Sequence, residues 1–295
     1  MIALTVRDGD SVRNELVHLG HASATVDDVP MDQPPQTELP KNLTLHVGND
    51  DALLERADSS PQLTELVLAP VKLHRRNIQR RLRESQTPKD GLQFADPPEV
   101  GKRVLDAADL PTRTTDRIDR LSMIRSVLSD EDVSITTSAV RSDPQTLEQT
   151  RTELEAVTGF HPERVEILEG FASSLPAPID ADATEILSAA TDVERALRKR
   201  ASKSISDVEI VRRAAREILA TNGRAWQEAF PEVDSVSLVG VSSIPAAHID
   251  LLHAVLNSVS VSAHIHFRRG TGSYLSRRVP QLLDVAEPGA VVFES

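Results

Sequence analysis

Apolar residues recur along this chain at two spacings, every second position and every third or fourth, and the changes between them outline its elements. Leu43-Thr44-Leu45-His46-Val47-Gly48 alternates, and Asn49-Asp50-Asp51 then precedes Ala52-Leu53-Leu54, as in a strand, a tight turn and an N-capped helix. Leu66-Val67-Leu68-Ala69-Pro70 has the unbroken apolar character of a buried strand and leads into an Arg-rich helix from about Val71 to Arg83. Strand, helix, strand, helix predicts a parallel sheet, since parallel neighbours need a crossover between them.

Helices punctuated by Pro and Gly follow: one around Pro97 to Ala108, another from Thr115 with Ile118, Leu121, Ile124 and Leu128 at helical spacing. Val133-Ser134-Ile135-Thr136-Thr137 reads as a short strand. Asp143-Pro144 supplies a cap and a first-turn proline for a helix carrying Leu147, Leu154 and Val157, and Thr158-Gly159 ends it. From there to about residue 232 the pattern is nearly all helical, clearest where Ser206 and Glu209 form a capping box ahead of Val208, Val211, Ala215, Ile218 and Leu219.

The last third returns to α/β. Val236-Ser237-Leu238-Val239-Gly240-Val241 is a strand, Ser242-Ser243-Ile244-Pro245 starts a helix, and Ile249, Leu252, Val255 and Leu256 form its stripe. A strict alternation then puts Val259, Val261, Ala263, Ile265 and Phe267 on one side and Ser260, Ser262, His264 and His266 on the other, which predicts a strand with one buried face. Residues 24–41, with Pro30, Pro34, Pro35 and Pro40, resist regular structure. The expected layout is a segment and linker over 1–40, the first half of an α/β domain over 41–141, a helical insertion over 142–232 and the second half over 233–295.

Composition narrows the function. The 295 residues carry 45 Asp and Glu against 33 Lys and Arg, so any contact with nucleic acid must be a local patch rather than a uniformly basic surface. The cations are mostly Arg, and an acidic surface with little Lys stays hydrated when salt screens charge, which points to a high-salt organism. The absence of Cys excludes disulfides, thiolate nucleophiles and Cys-ligated metals. No uninterrupted apolar run approaches the roughly 20 residues a membrane span needs, and the expected location is the cytoplasm, with no membrane partner.

Candidate chemistry is local. Gly48-Asn49-Asp50-Asp51 lies between a strand and a helix, where a phosphate-binding loop would sit, but it lacks the loop's glycines and its Lys, and two Asp would repel phosphate. Lys72, Arg75, Arg76, Arg80 and Arg81 concentrate positive charge on one helix, together with His74 and Arg83. Arg268 and Arg269, just past a strand end and followed by Gly270-Thr271-Gly272, form a second basic point. These seven cations, Lys72, Arg75, Arg76, Arg80, Arg81, Arg268 and Arg269, are the candidate DNA contacts, although a charged helix face is usually solvated or ion-paired. His264 and His266 project from one side of a strand as metal-binding pairs do, but no carboxylate stands beside them, so no metal or other cofactor is expected. Trp226 reads as a packing anchor. No nucleophile elbow, HExxH or nuclease carboxylate pattern is present, and no catalytic residue is assigned.

Three passages together resemble the N-terminal part of the AddB-type subunits of ATP-dependent helicase–nucleases, a family similar to superfamily 1 helicases. They are Val236–Val241 through Ile249-Asp250-Leu251-Leu252 to Val259-Ser260-Val261; Val104-Leu105-Asp106 with Thr115–Leu121; and the position of Gly48–Asp51. The resemblance implies an α/β fold with a parallel sheet of the P-loop, helicase-like type and a largely helical insertion. It also implies a non-catalytic subunit or fragment beside a helicase or nuclease partner in DNA end processing or recombination repair. The alternatives are a protein-interaction scaffold with no nucleic-acid role, and an enzyme using an unrecognised site.

Overall fold

The computed structural model describes residues 39–48, 51–59, 64–86, 91–129, 143–201 and 203–284. Within them, β1 (Leu43–Val47), β2 (Thr64–Leu68), β3 (Leu92–Ala95), β4 (Val233–Val241) and β5 (Ser262–Phe267) form one parallel sheet in the order β1-β5-β4-β2-β3. The first helices are α1 (Asp51–Ser59), α2 (Lys72–Glu84), α3 (Pro97–Ala107), α4 (Arg117–Leu128), α5 (Pro144–Thr158) and α6 (Pro162–Ser173). The rest are α7 (Ile179–Arg200), α8 (Asp207–Ala220), α9 (Arg224–Ala229), α10 (Ala246–Ser258), α11 (Gly272–Ser276) and α12 (Val279–Asp284). The α/β parallel-sheet expectation therefore holds, and the segments around 43–48 and 236–241 belong to one sheet.

Strand order follows from handed crossovers. Moving from β1 to β2 to β3 runs one way across the sheet, and moving from β3 to β4 to β5 runs back, so the two sets of connections cover opposite faces. On one face α1 and α2 press Leu53, Ala57, Ile78 and Leu82 onto Val67, Ala69 and Val239. On the other, α3, α8, α9 and α10 bury Val104, Ile218, Trp226 and Leu252 against Leu66, Leu68, Val236, Leu238 and Ile265. Each such side chain contributes roughly 1.5–3 kcal/mol by leaving water.

The helical layer uses apolar contacts and buried charge together. Ile124, Val127, Leu147, Val193 and Leu197 join α4, α5 and α7, while Leu154, Phe160 and Ala190 join α5 to α7. At their centre Arg151, fully buried, meets Glu148 at 2.9 Å, Glu194 at 2.9 Å and Glu155 at 3.2 Å. Arg198 bridges Glu194 at 2.7 Å and Glu209 of α8 at 3.1 Å, and Arg120 reaches Glu148 at 2.6 Å. Burial by itself would lower the Arg151 pKa, but Glu155, Glu194 and Glu148 raise it above the usual guanidinium range, so the charge stays.

Several local expectations hold and several change. Asp143 accepts from the Gln145 amide at 3.0 Å with Pro144 opening α5, and Gly159 ends that helix. Asp96 and Glu99 make a reciprocal capping box on α3. Ser206 accepts from the Glu209 amide at 3.1 Å, but the Glu209 carboxylate bonds the Ile205 amide at 2.6 Å instead of returning to residue 206. In α4, Ile118 is 79% exposed and the buried residues are Ile124 and Val127, because the apolar contacts of this helix lie in its second half while the first half meets its neighbours through Arg120. β5 keeps the expected alternation at Ser262, exposed, and His264, half-buried, opposite buried Ala263 and Ile265, but His266 is buried too, where Arg56 of α1 reaches it. The segment Val133–Thr137 lies outside the described residues. β3, which alternation alone does not pick out, completes the edge beside β2.

Candidate nucleic-acid interface

At the carboxyl edge of the sheet, neighbouring strands β2 and β4 lead away in opposite directions, β2 into α2 on one face and β4 into α10 on the other. Such a reversal opens a crevice outside the strand ends, the usual ligand position in open α/β sheets. Here a β-bulge between Val239 and Val241 places Gly240 at φ +69°, and the imidazole of His74 on α2 lies against its backbone. A Cβ at 240 would stand 2.7 Å from His74 Cγ, so glycine is required both by conformation and by space.

The cations divide between this edge and the outer helix surface. Val71 caps α2 without a side-chain bond and no acid lies in the first turn, so the amino end of the helix keeps its partial positive charge beside Lys72, Arg75 and Arg76. Arg268 and Arg269 follow β5, one strand beyond β4 and therefore about 10 Å from the end of β2 at ordinary strand spacing. Lys72, Arg76 and Arg268 are exposed and make no ion pair with a described residue. Arg75 pairs with Glu99 at 3.4 Å, and Arg269 Nε donates to the Gly48 carbonyl at 3.2 Å. Arg80 and Arg81 lie further along α2, where Arg80 faces Glu84 at 3.6 Å and Arg81 pairs with Asp51. Five of the seven expected cations thus share one edge, and two lie away from it. Asn49 and Asp50, the middle of the loop after β1, lie outside the described residues; Asp51 of that loop opens α1 and is engaged by Arg81.

The opposite half of the α1-covered face is polar. Arg56 on α1 bonds Glu65 at 2.8 Å, Ser237 at 3.0 Å and His266 at 3.2 Å, and Ser237 donates to Glu65. His46 stacks on His266 with centroids 4.3 Å apart, and its Nε2 stands 3.2 Å from His264 Nδ1. Burial, then Arg56, lowers the pKa of His46 against the opposing pull of Glu65; the same two causes, in the same order, bring His264 to about 4. Both rings are neutral at ordinary pH. Sequence alternation flagged His264 and His266 but not His46, which only the parallel register of β1 on β5 brings to them. Among the described residues no group of three or more His, Asp or Glu is placed to hold a metal ion. Trp226 is buried against Phe230 with ring centroids 4.8 Å apart, the packing role expected of it.

A single parallel sheet with helices on both faces and a reversal point at its carboxyl edge define an open, doubly wound α/β chain. The chain belongs to the halobacterial UvrD-like protein family, whose model matches residues 30–294. It is thus a helicase-like protein of the halophilic archaeal lineage, which narrows the broader superfamily 1 resemblance without reaching the AddB-type subunit. No curated protein matches the chain. No described helix is long and apolar enough to cross a membrane.

Proposed function

We propose that this chain is a helicase-fold subunit without motor activity, which holds a polynucleotide by its phosphates at the carboxyl edge of the sheet. It works in the cytoplasm beside a helicase or nuclease partner, in the manner of an AddB-like subunit, in DNA end processing or recombination repair. Residues 41–141 and 233–295 supply the two halves of the helicase-like unit, and 142–232 is its insertion. The observation that carries this reading is the placement of Lys72, Arg75 and Arg76, which open α2, and of Arg268 and Arg269, which follow β5, at the same carboxyl edge of the sheet. Asp96 and Glu99 lie nearby; both carboxylates cap α3, and Glu99 also pairs with Arg75. The loop after β1 has no Lys to grip a nucleotide phosphate, which favours binding without hydrolysis.

The test is fluorescence anisotropy of labelled single-stranded and duplex DNA over a KCl series that keeps the protein folded. Phosphate contacts predict that log affinity falls linearly with log salt, with a slope near −0.9 per contact on duplex. Absence of binding at the lowest workable salt ends this reading. Nucleotide turnover by the purified chain would end its non-catalytic part.

A second reading, a protein-interaction scaffold, has its own observation. Ile167 and Phe171 of α6 and Ile179 and Ile186 of α7 are exposed by 63%, 54%, 55% and 37%, on a stretch without Lys or Arg from Val165 to Glu194. Exposed apolar groups concentrated on one helical hairpin suit a protein partner better than a phosphate backbone.

A further inference from the structure

Parallel sheets covered on both faces are normally apolar on both. Here the half of the sheet under α1 carries His46, Glu65, Ser237, His264 and His266 in place of aliphatic side chains. The Arg56–Glu65–Ser237–His266 bonds satisfy one part of this set internally. The facing nitrogens of His46 and His264 are the other part. His266 stacks flat on His46 with an interplanar angle of 10°, which holds the His46 ring in its orientation.

Two imidazole nitrogens 3.2 Å apart either share one hydrogen or point their lone pairs at one cation. Two Zn–N bonds of about 2.05 Å at a tetrahedral angle span about 3.3 Å, so the pair already has the bite of a chelate. His264 also lines a cavity of about 550 Å³ that opens toward the amino edge of the sheet, with Asn42, Arg56, Glu65, Ser235 and Ser262 around it. The Ser235 hydroxyl is buried there and has no partner among the described residues. The cavity has space for metal-bound water, and that hydroxyl can bond to it.

We propose that His46 and His264 form a two-imidazole site for a first-row divalent transition cation, zinc in the first instance, whose remaining positions are filled by water in the adjoining cavity. No redox change or covalent chemistry is involved; two neutral nitrogens donate lone pairs to the ion. With two protein ligands the site is weaker and more open than a structural four-ligand centre. The site lies within the α1-covered face, where His46 stacks on His266 two residues before Arg268, and metal uptake is read separately from DNA binding.

The experiment is isothermal titration of chelator-treated full-length protein with zinc chloride, then nickel chloride, with magnesium chloride as the oxygen-preferring control. One equivalent of zinc and no magnesium is the expected result. His46→Gln and His264→Gln should each weaken zinc uptake by more than about tenfold, since loss of a mere outer-shell partner already costs about 10–100-fold. His253→Gln, which alters a histidine bonded to Asn257 on the far face of the sheet, should leave zinc uptake unchanged. No zinc uptake by the wild type, or uptake that survives both substitutions, overturns the proposal. A measurement on the wild type alone guards against variants that misfold. Added nickel should broaden the imidazole resonances of His46 and His264 first, and broadening confined to other histidines overturns the proposal equally.

Discussion

Arg164 on α6 grips Asp250 on α10 with both guanidinium ends, at 2.6 and 3.0 Å, and so ties the helical layer to a helix that covers the sheet. The Asp250 side chain is only 2% exposed, so this pair takes the place of water around its carboxylate. Asp250→Ala is expected to destabilise the protein by about 3–5 kcal/mol, because it leaves a largely buried guanidinium uncompensated. Equilibrium denaturation at high salt, compared with Asp250→Asn as the milder change, measures it.

Gly240→Ala should cost about 1–3 kcal/mol, since it forces an L residue to φ +69° and drives a methyl into the His74 ring. In a double-mutant cycle with His74→Ala, the steric share should be recovered and the backbone share should remain. Full additivity of the two substitutions would mean that the ring and the bulge are not coupled.

Arg151→Met should be more damaging than loss of any surface arginine. It leaves Glu148, Glu155 and Glu194 together in the interior, at a cost of about 3–5 kcal/mol. Burial already raises the pKa of Glu194, and without Arg151 its carboxyl should protonate more readily. The variant should therefore recover part of its stability as pH is lowered from 7 toward 5, which unfolding curves at several pH values would detect.

Acid should weaken the wild type through His248, which lines an apolar pocket with Leu68, Trp226, Leu251 and Leu252. Burial pushes its pKa from 6.5 to about 4, so the unfolded chain takes up a proton that the native state refuses. The associated stability is complete above pH 6.5 and is lost as pH falls through 4, on the order of 2 kcal/mol for a partly exposed ring. His248→Leu should flatten that part of the pH profile; an unchanged profile would assign the acid sensitivity elsewhere.

The proposed phosphate contacts should separate by position. Lys72→Ala, Arg76→Ala and Arg268→Ala should each lower DNA affinity across sequences and reduce the salt slope by about one. Arg80→Ala and Arg81→Ala, which remove cations already facing Glu84 and Asp51, should have much smaller effects. Equal effects at Lys72, Arg76, Arg80 and Arg81 with none at Arg268 would place the DNA along the outer surface of α2 rather than at the sheet edge.

Short-range features were the ones most readable from residues alone. The caps at Asp143 and Ser206 and the stripe on α10 depend on neighbours within a turn or two, and the alternation of β1 and β5 depends on the pleat alone. β3 escaped because four residues, Leu92–Ala95, carry too little alternation to stand out from a loop. The stripe through Ile118 was misleading because helical spacing names a possible face but not whether anything packs on all of it.

The sequence by itself determined the alternating periods, the parallel α/β class, the lack of a phosphate-gripping lysine and the clustering of cations on α2 and after β5. Tertiary structure alone decided that β5 lies between β1 and β4, that Arg268 therefore shares an edge with Lys72 while Arg80 does not, and that His46 meets His264. It also decided that Arg151, a residue whose charge argues for the surface, sits at the centre of the helical layer. The reason is range: periodicity and capping act over a few residues, whereas burial, ion pairing and strand register depend on segments some 200 positions apart being brought together, as His46 and His264 are with a separation of 218.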